Sequence, residues 1–146
     1  MIRLAGAAET EALGRSLARR LEVGDVVALY GDLGAGKTTL ARGILRGLGF
    51  QGEVASPTFP IVQPYETLVP PVWHVDLYRL DDPREVAELA LDEALADGAL
   101  IIEWPQRLGD ALWPEALRLT LSRDGDAARA LTAIVPAAWE GRWPLR

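Results

Sequence analysis

The sequence predicts an α/β fold with a mostly parallel central sheet flanked by helices and an antiparallel hairpin near the C terminus. Two short, unbroken apolar runs, residues 26–29 and 99–102, have the pattern of strands that are buried on both faces of a parallel sheet. Leucines at helical spacing before and after the first run predict the flanking helices. Alternating residues from 117 to 121, followed by the turn signal Asp124-Gly125, predict the hairpin, with its second strand in the apolar stretch after the turn.

Two helices are expected in the first third of the chain. Leu13, Leu17 and Leu21 recur every four residues, so we predict an amphipathic helix over residues 10–21. A second helix is predicted to start at Lys37 and to end with Gly49 as its cap. The apolar face of this second helix consists of Leu40, Ile44, Leu45 and Leu48.

The middle of the chain is less regular. Prolines and β-favouring residues over 51–71 predict a loop followed by an irregular hairpin. Residues 72–77 are then predicted to form a strand that ends near an acidic residue, Asp76, which we expect to face a ligand. A helix over residues 82–96 follows, because Asp82 is a good cap and Pro83 suits the first helical position.

Length and composition restrict the kind of protein. The 146 residues suffice for one sizeable core, so we expect a single domain over residues 1–146, with a tail from 137 to 146 that frays. A net charge of -6 argues against a protein that grips nucleic acid by itself. The absence of cysteine excludes disulfides and thiolate chemistry. No apolar segment resembles a signal peptide or a membrane span, so a cytoplasmic location without membrane contact is expected.

A phosphate-binding motif lies between the first predicted strand and the helix that follows it. Residues 31–38, GDLGAGKT, match G-x-x-x-x-G-K-[ST], and the strand and helix around them are those that the motif's mechanics require. Backbone N–H groups of such a loop surround an anion at the positive end of the helix dipole. The fold class is therefore P-loop NTPase-like. The candidate nucleotide contacts in the loop are Gly31, Gly34, Ala35, Gly36, Lys37, Thr38 and Thr39.

Lys37 is the only lysine beside 14 arginines, which sets it apart as a point charge for phosphate oxygens. We assign Lys37 to the β- and γ-phosphates, Thr38 to Mg²⁺ and Thr39 to the α-phosphate. The motif alone does not separate ATP from GTP or from a phosphorylated acceptor.

Two carboxylates end predicted strands. Glu103 follows the second apolar run and Asp76 ends the strand before it, and strand ends of an open α/β sheet face the ligand crevice. Either carboxylate could hold the magnesium ion through water or orient an attacking water, or merely solvate a sheet edge. Lys37, Asp76 and Glu103 are the candidate catalytic residues.

Ser56 and Thr58 lie in the loop after the phosphate-site helix, where nucleotide-sensing switch loops occur, although an ordinary turn explains them equally well. His74, the only histidine, is interpreted as packed and hydrogen-bonded rather than catalytic. Arg79 and Arg129 either stabilise charge on the transferring phosphoryl group or solvate a surface.

Trp104 directly follows Glu103 and could lie beside the nucleotide or a partner, but its aromatic bulk alone decides nothing.

Taken together, these residues resemble the TsaE (YjeE) family of ATPases, which act in bacterial threonylcarbamoyladenosine modification of tRNA. The resemblance covers nearly the whole chain. It is carried by the segments 31–39, 56–59, 74–80 and 102–105 in their order and spacing. Two departures are small: Ala90 stands where many members have glycine, and Gln106 where acidic residues are frequent.

The resemblance implies ATP and Mg²⁺ at the phosphate loop, with Thr38 and Glu103 on the metal and Thr10 near the adenine. Arg129 corresponds to a family arginine in the least specific part of the resemblance and is included among the nucleotide contacts. Family members act with the TsaD and TsaB proteins, and their ATP hydrolysis supports repeated threonylcarbamoyl transfer to adenosine 37. This implies contact with tRNA only through the complex.

Three other activities compete with this interpretation. A small-molecule kinase uses the same loop, but no arginine-rich insertion is present to close over two substrates. A GTPase switch needs an Asn-Lys-x-Asp guanine reader, which Lys37 as the only lysine rules out. A nucleotide-binding scaffold that barely hydrolyses remains compatible with the sequence.

Overall fold

A seven-stranded sheet forms the centre of the computed structural model, which describes residues 1–54, 62–80 and 82–143. The strands are β1 (Ile2–Leu4), β2 (Val26–Tyr30), β3 (Val62–Tyr65), β4 (Val72–Asp76), β5 (Ala99–Glu103), β6 (Leu117–Arg123) and β7 (Arg129–Ile134). The helices are α1 (Ala7–Ala18), α2 (Lys37–Gly47) and α3 (Leu91–Asp97). Short 3₁₀ segments cover Pro83–Leu89, Pro105–Ala111 and Ala137–Trp139.

The strand order is β1-β7-β6-β2-β5-β4-β3. The four inner strands β6, β2, β5 and β4 run parallel, whereas the pairs toward both edges are antiparallel. This confirms the predicted mostly parallel centre, and β6 with β7 forms the predicted C-terminal hairpin. Among the described residues, no helix is both long enough and apolar enough to cross a membrane.

Strand β2 shows why an unbroken apolar run predicts burial on both faces. Val27 and Leu29 pack into the core on the side of α1 and α2. Val26 and Ala28 face the opposite core, which includes Leu91 of α3. Because successive side chains of a strand point to opposite faces, only a strand covered on both sides needs apolar residues at every position.

Helices α1 and α2 are in direct backbone contact through glycines. A β-carbon at Gly14 would lie 2.5 Å from the Leu40 carbonyl oxygen, and one at Gly43 would collide with the Glu11 carbonyl. No side chain larger than hydrogen fits at either position, since core atoms are already closely packed. The close contact ties α1 to the helix that begins at the phosphate loop.

The helix predicted over residues 82–96 is wrong, because the chain breaks at Ala90. The 3₁₀ segment Pro83–Leu89 comes first, Ala90 then adopts the left-handed conformation with φ 54° and ψ 41°, and α3 follows. The break redirects the chain so that Leu91 enters the core. The free energy gained by burying the Leu91 side chain offsets the strain of an alanine in the left-handed conformation.

The C-terminal tail is also packed where fraying was predicted. Trp139 is completely buried, and Arg142 lies over its ring, 3.9 Å from the centroid. Arg142 also binds both carboxylate oxygens of Asp25, at 2.6 and 2.9 Å. The prediction of a frayed tail is therefore wrong for residues 137–143.

The remaining differences lie at the edges of the sheet. Helix α1 begins and ends earlier than predicted, and β1 was not predicted. Three residues are too few to show a period, and β1 exists because it pairs with β7. Within the segment predicted to be an irregular hairpin, β3 pairs antiparallel with β4, while residues 55–61 lie outside the described residues.

Candidate nucleotide-binding site

The loop between β2 and α2 has the backbone of an anion cradle. Gly31, Gly34 and Gly36 have φ angles of 145°, 79° and 107°, a region that residues with a β-carbon rarely adopt. At Gly31 a β-carbon would also lie 2.6 Å from the Leu121 carbonyl oxygen. The glycines of the motif are therefore required by backbone conformation and by close packing against β6.

Backbone donors at the start of α2 are available to a ligand. Within the described ranges, the N–H groups of Gly34, Gly36 and Lys37 form no hydrogen bond, whereas the N–H of Ala35 donates to the Asp32 carbonyl at 3.1 Å. Gly36 is the N-cap of α2. Unpaired N–H groups at the positive end of an eleven-residue helix are suited to binding phosphate.

Lys37 is buried beside the loop. Its Nζ donates to the Gly31 carbonyl and lies 3.7 Å from the centroid of the Trp104 ring. The Tyr78 ring packs on Trp104 with centroids 4.9 Å apart. Burial lowers the pKa of Lys37, and the nearby carboxylates oppose that shift. The ammonium group is therefore held by a carbonyl and an aromatic face that a phosphate would compete with.

Thr38 and Glu103 meet across the interface of α2 and β5. The Thr38 hydroxyl lies 3.2 and 3.3 Å from the two carboxylate oxygens of Glu103. Glu103 is buried, and His74 Nε2 lies 2.6 Å from its Oε2. Since two neighbouring ligands of one octahedral magnesium ion are about 3 Å apart, the hydroxyl and the carboxylate fit a shared ion.

The donor set also fits magnesium in kind. The described part of the chain contains no cluster of three or more His, Asp or Glu side chains that could hold a metal. Magnesium at nucleotide sites does not need one, because it takes one or two protein oxygens and completes its shell with phosphate and water.

Asp76 lies next to Glu103, its partner in the parallel register of β4 and β5. One carboxylate oxygen accepts the Tyr78 N–H at 2.9 Å. Burial raises the pKa of Asp76, and Glu103 adds to the shift, while the Tyr78 hydrogen bond, His74 and Lys37 oppose it. A carboxylate with a raised pKa is a better proton acceptor than an exposed one.

Arg129 contacts the phosphate loop from β7. Its Nε donates to the Ala35 carbonyl at 3.0 Å and one terminal nitrogen to the Gly34 carbonyl at 3.1 Å. The other terminal nitrogen donates to the carbonyls of Asp126 and Ala128. In this conformation every nitrogen of the guanidinium is used by backbone.

The structure thus brings Lys37, Thr38, Asp76 and Glu103 to one place. Thr10 is buried near Gly36, but its hydroxyl donates to the Gly6 carbonyl. The other candidates are not assembled in the same way. Thr39 is half-buried and Arg79 is exposed, neither of them hydrogen-bonded by its side chain to any described residue, and Ser56 and Thr58 lie outside the described residues.

The sequence-based site omitted His74 and left Trp104 undecided. His74 is packed and hydrogen-bonded as predicted, but its partner is Glu103. The available signal was position: His74 alternates with Asp76 on a strand that ends at the site. Trp104 has φ 60° and ψ 47°, a strained conformation of the kind that occurs at functional sites.

Comparison with known proteins adds independent information. The family model "Threonylcarbamoyl adenosine biosynthesis protein TsaE" matches residues 4–131. A Streptomyces coelicolor protein named tRNA threonylcarbamoyladenosine biosynthesis protein TsaE is 43% identical over 135 residues, covering 90% of this chain and 91% of that protein. The Bacillus subtilis protein of the same name is 41% identical, covering 85% and 78%.

A solved structure is similar over almost the whole chain. The crystal structure of Bacillus subtilis YdiB superposes with a TM-score of 0.81 at 34% sequence identity. The alignment covers 96% of this chain and 88% of that one.

Proposed function

The chain belongs to the TsaE family, and from that membership we propose that it is a magnesium-dependent ATPase of tRNA threonylcarbamoyladenosine biosynthesis. In this proposal it binds and hydrolyses ATP and acts with the TsaD and TsaB proteins. Its hydrolysis supports multiple turnover of threonylcarbamoyl transfer to adenosine 37.

The observation that carries the proposal is the pairing of Thr38 with Glu103 beside the open donors of the phosphate loop. The hydroxyl at the start of α2 and the carboxylate at the end of β5 lie 3.2 Å apart. The unpaired N–H groups of Gly36 and Lys37 belong to the same helix terminus. This arrangement supports the proposal that a phosphate and a hard cation bind side by side, which is what a nucleoside triphosphate with magnesium requires.

Each residue has a distinct role in the proposed reaction. The loop N–H groups bind the phosphates, and Lys37 exchanges the Gly31 carbonyl for phosphate oxygens. Thr38 and Glu103 hold magnesium, which neutralises charge on those oxygens when bound. Asp76 orients the attacking water and accepts its proton, a role favoured by its raised pKa.

Family membership and charge support the proposed partners. With a net charge of -6, the chain is poorly suited to grip tRNA alone, so tRNA contact is assigned to the complex with TsaD and TsaB. We propose that the protein acts in the cytoplasm.

Hydrolysis by the isolated protein is expected to be slow. Lys37 is engaged by Gly31 and Trp104, and the Arg129 nitrogens are engaged by backbone. Stabilisation of transition-state charge is therefore assigned to a rearrangement, or to a group that the partners supply.

The test is magnesium-dependent release of phosphate from ATP by the protein alone and with TsaD and TsaB. Glu103→Gln, which keeps the shape but removes the charge, is expected to abolish partner-stimulated hydrolysis. The exposed Glu140→Gln serves as the control and retains it. Transfer of phosphate to a small acceptor, without stimulation by the partners, would instead indicate a kinase.

A further inference from the structure

Arg129 forms a bridge between the C-terminal hairpin and the phosphate loop, and the two ends of the bridge differ. On the hairpin side it donates to the carbonyls of Asp126 and Ala128. On the loop side it donates to those of Gly34 and Ala35, two consecutive residues that lie 95 and 94 positions earlier in the chain. The hairpin therefore fixes the guanidinium, and the guanidinium in turn holds two consecutive loop carbonyls.

Fixing a carbonyl also fixes the N–H of the same peptide unit. In a planar trans peptide the C=O of one residue and the N–H of the next point in opposite directions. Because the Ala35 carbonyl is held toward Arg129, the Gly36 N–H is directed away from it. The Gly34 carbonyl likewise directs the Ala35 N–H away, and that group donates to Asp32.

We infer that Arg129 is a positioning residue of the phosphate loop: by holding the Gly34 and Ala35 carbonyls it aims the Gly36 N–H into the anion cradle before ligand binds. This inference rests on the proposed function, because it assumes that the cradle takes the phosphates of ATP. It differs from the expectation that Arg129 contacts the nucleotide. It assigns Arg129 to the shape of the site and requires no contact with nucleotide.

The chain offers a matched control in the neighbouring strand. Arg123 of β6 lies directly opposite Arg129 in the antiparallel register. A β-carbon at Gly34 would lie 2.6 Å from an Arg123 nitrogen, so this arginine brings the same charge to the same loop. The Arg123 side chain is exposed and forms no hydrogen bond with any described residue, which separates the effect of charge from that of the carbonyl contacts.

The experiment compares Arg129→Lys, Arg129→Ala and Arg123→Ala for binding of Mg-ATP and of magnesium pyrophosphate by calorimetry. Lysine keeps the charge but cannot hold two carbonyls in a planar fork. Both Arg129 variants are expected to bind the two ligands about ten-fold or more weakly, in parallel, because hydrogen bonds to a charged donor are lost. Arg123→Ala is expected to stay within about three-fold of the parent, as for an exposed charge.

A second measurement needs no ligand. In ¹H–¹⁵N spectra of the free protein, the Gly36 amide resonance is expected to shift or broaden in Arg129→Lys and to stay in place in Arg123→Ala. Thermal unfolding and circular dichroism check that each variant is folded. If Arg129→Ala does not fold, Arg129→Lys carries the test.

Three results would overturn the inference. Ligand binding by Arg129→Lys at the affinity of the parent would show that only the positive charge matters. A loss of affinity in Arg123→Ala equal to that in the Arg129 variants would show that the overall positive charge of the hairpin is responsible. Weaker ATP binding with unchanged pyrophosphate binding would indicate a contact with the nucleoside. If the parent protein binds neither ligand, the proposed function fails as well, which distinguishes that failure from the others.

Discussion

His74 Nε2 lies 2.6 Å from Glu103 Oε2, and both side chains are buried. Across the described residues, the other ring nitrogen of His74 has no hydrogen-bond partner. With Glu103 ionised, the proton of the contact lies on Nε2. Because Thr38 bonds the same carboxylate, Glu103 is held from β4 on one side and from α2 on the other. Such indirect support commonly tunes metal affinity.

Replacing His74 by Leu is expected to raise the magnesium concentration needed for ATP hydrolysis by about ten-fold, because Glu103 loses its fixed orientation. It is also expected to lower the free energy of unfolding by about 1–3 kcal/mol, since a buried carboxylate loses a donor. His74→Gln retains an N–H donor and should recover part of both effects. Magnesium titrations and urea denaturation measure them. Unchanged magnesium dependence in His74→Leu would contradict the role.

Asp76→Asn is expected to stabilise the ligand-free protein at neutral pH while reducing hydrolysis. Burial raises the pKa of Asp76, so between its value of 3.8 in the unfolded chain and its folded value the native state binds more protons. Ionisation of Asp76 therefore lowers stability as pH rises through that window, and asparagine avoids this loss. Asparagine still accepts the Tyr78 N–H.

The measurement is the difference in melting temperature between Asp76→Asn and the parent at several pH values. The difference is expected to be largest above the folded pKa and to vanish as pH falls toward 3.8. The exposed Asp110→Asn is the control and should show no such trend. A variant that is less stable than the parent at neutral pH would argue against the burial effect.

Gly43→Ala is expected to destabilise the protein by about 3 kcal/mol or more, because the added methyl collides with the Glu11 carbonyl and must push α1 off α2. Denaturation in urea gives the value. At Gly141 a β-carbon meets no atom within 4 Å, so Gly141→Ala should leave stability nearly unchanged. Equal stability of Gly43→Ala and the parent would mean that the two helices separate easily.

Ala90→Gly is expected to raise the free energy of unfolding by about 0.5–1 kcal/mol. Alanine is strained at φ 54°, and glycine removes that strain. The gain exceeds the loss of stability that arises because glycine gives the unfolded chain more conformational entropy. Ala12→Gly, at an exposed position inside α1, is the matched control and should lower stability by about 1 kcal/mol. The two substitutions are chemically identical, so effects of the same sign would refute the conformational argument.

Much of the sheet was predictable because a strand that is buried on both faces requires apolar residues at every position, which is easily recognised in the sequence. The runs that became β2 and β5 are apolar at every position, and Glu103 interrupts the second run where the site begins. The phosphate loop was predictable because its backbone needs positive φ angles, which glycine adopts without strain. Both signals are local, so no knowledge of distant contacts was needed.

The features that escaped prediction depend on contacts between distant parts of the chain. The composition of this chain around residue 90 does not show that the helix must break, since the reason is the burial of Leu91 in the core. The one available signal was the glycine that many family members have at the position of Ala90, which adopts a left-handed conformation. The anchoring of the tail depends on Asp25, at the opposite end of the sequence. His74 looked like an ordinary core residue because its partner, Glu103, lies 29 residues away.

The position of β2 in the sheet has a consequence for how the protein is made. The strand leading into the phosphate loop is complete at residue 30, but its two neighbours, β5 and β6, begin at residues 99 and 117. During synthesis on the ribosome, the loop-bearing strand therefore emerges long before either neighbour exists. Parallel pairing across such separations is slow and leaves strand edges exposed. If the phosphate loop binds nucleotide as proposed, that ligand stabilises the chain only after most of it has been translated.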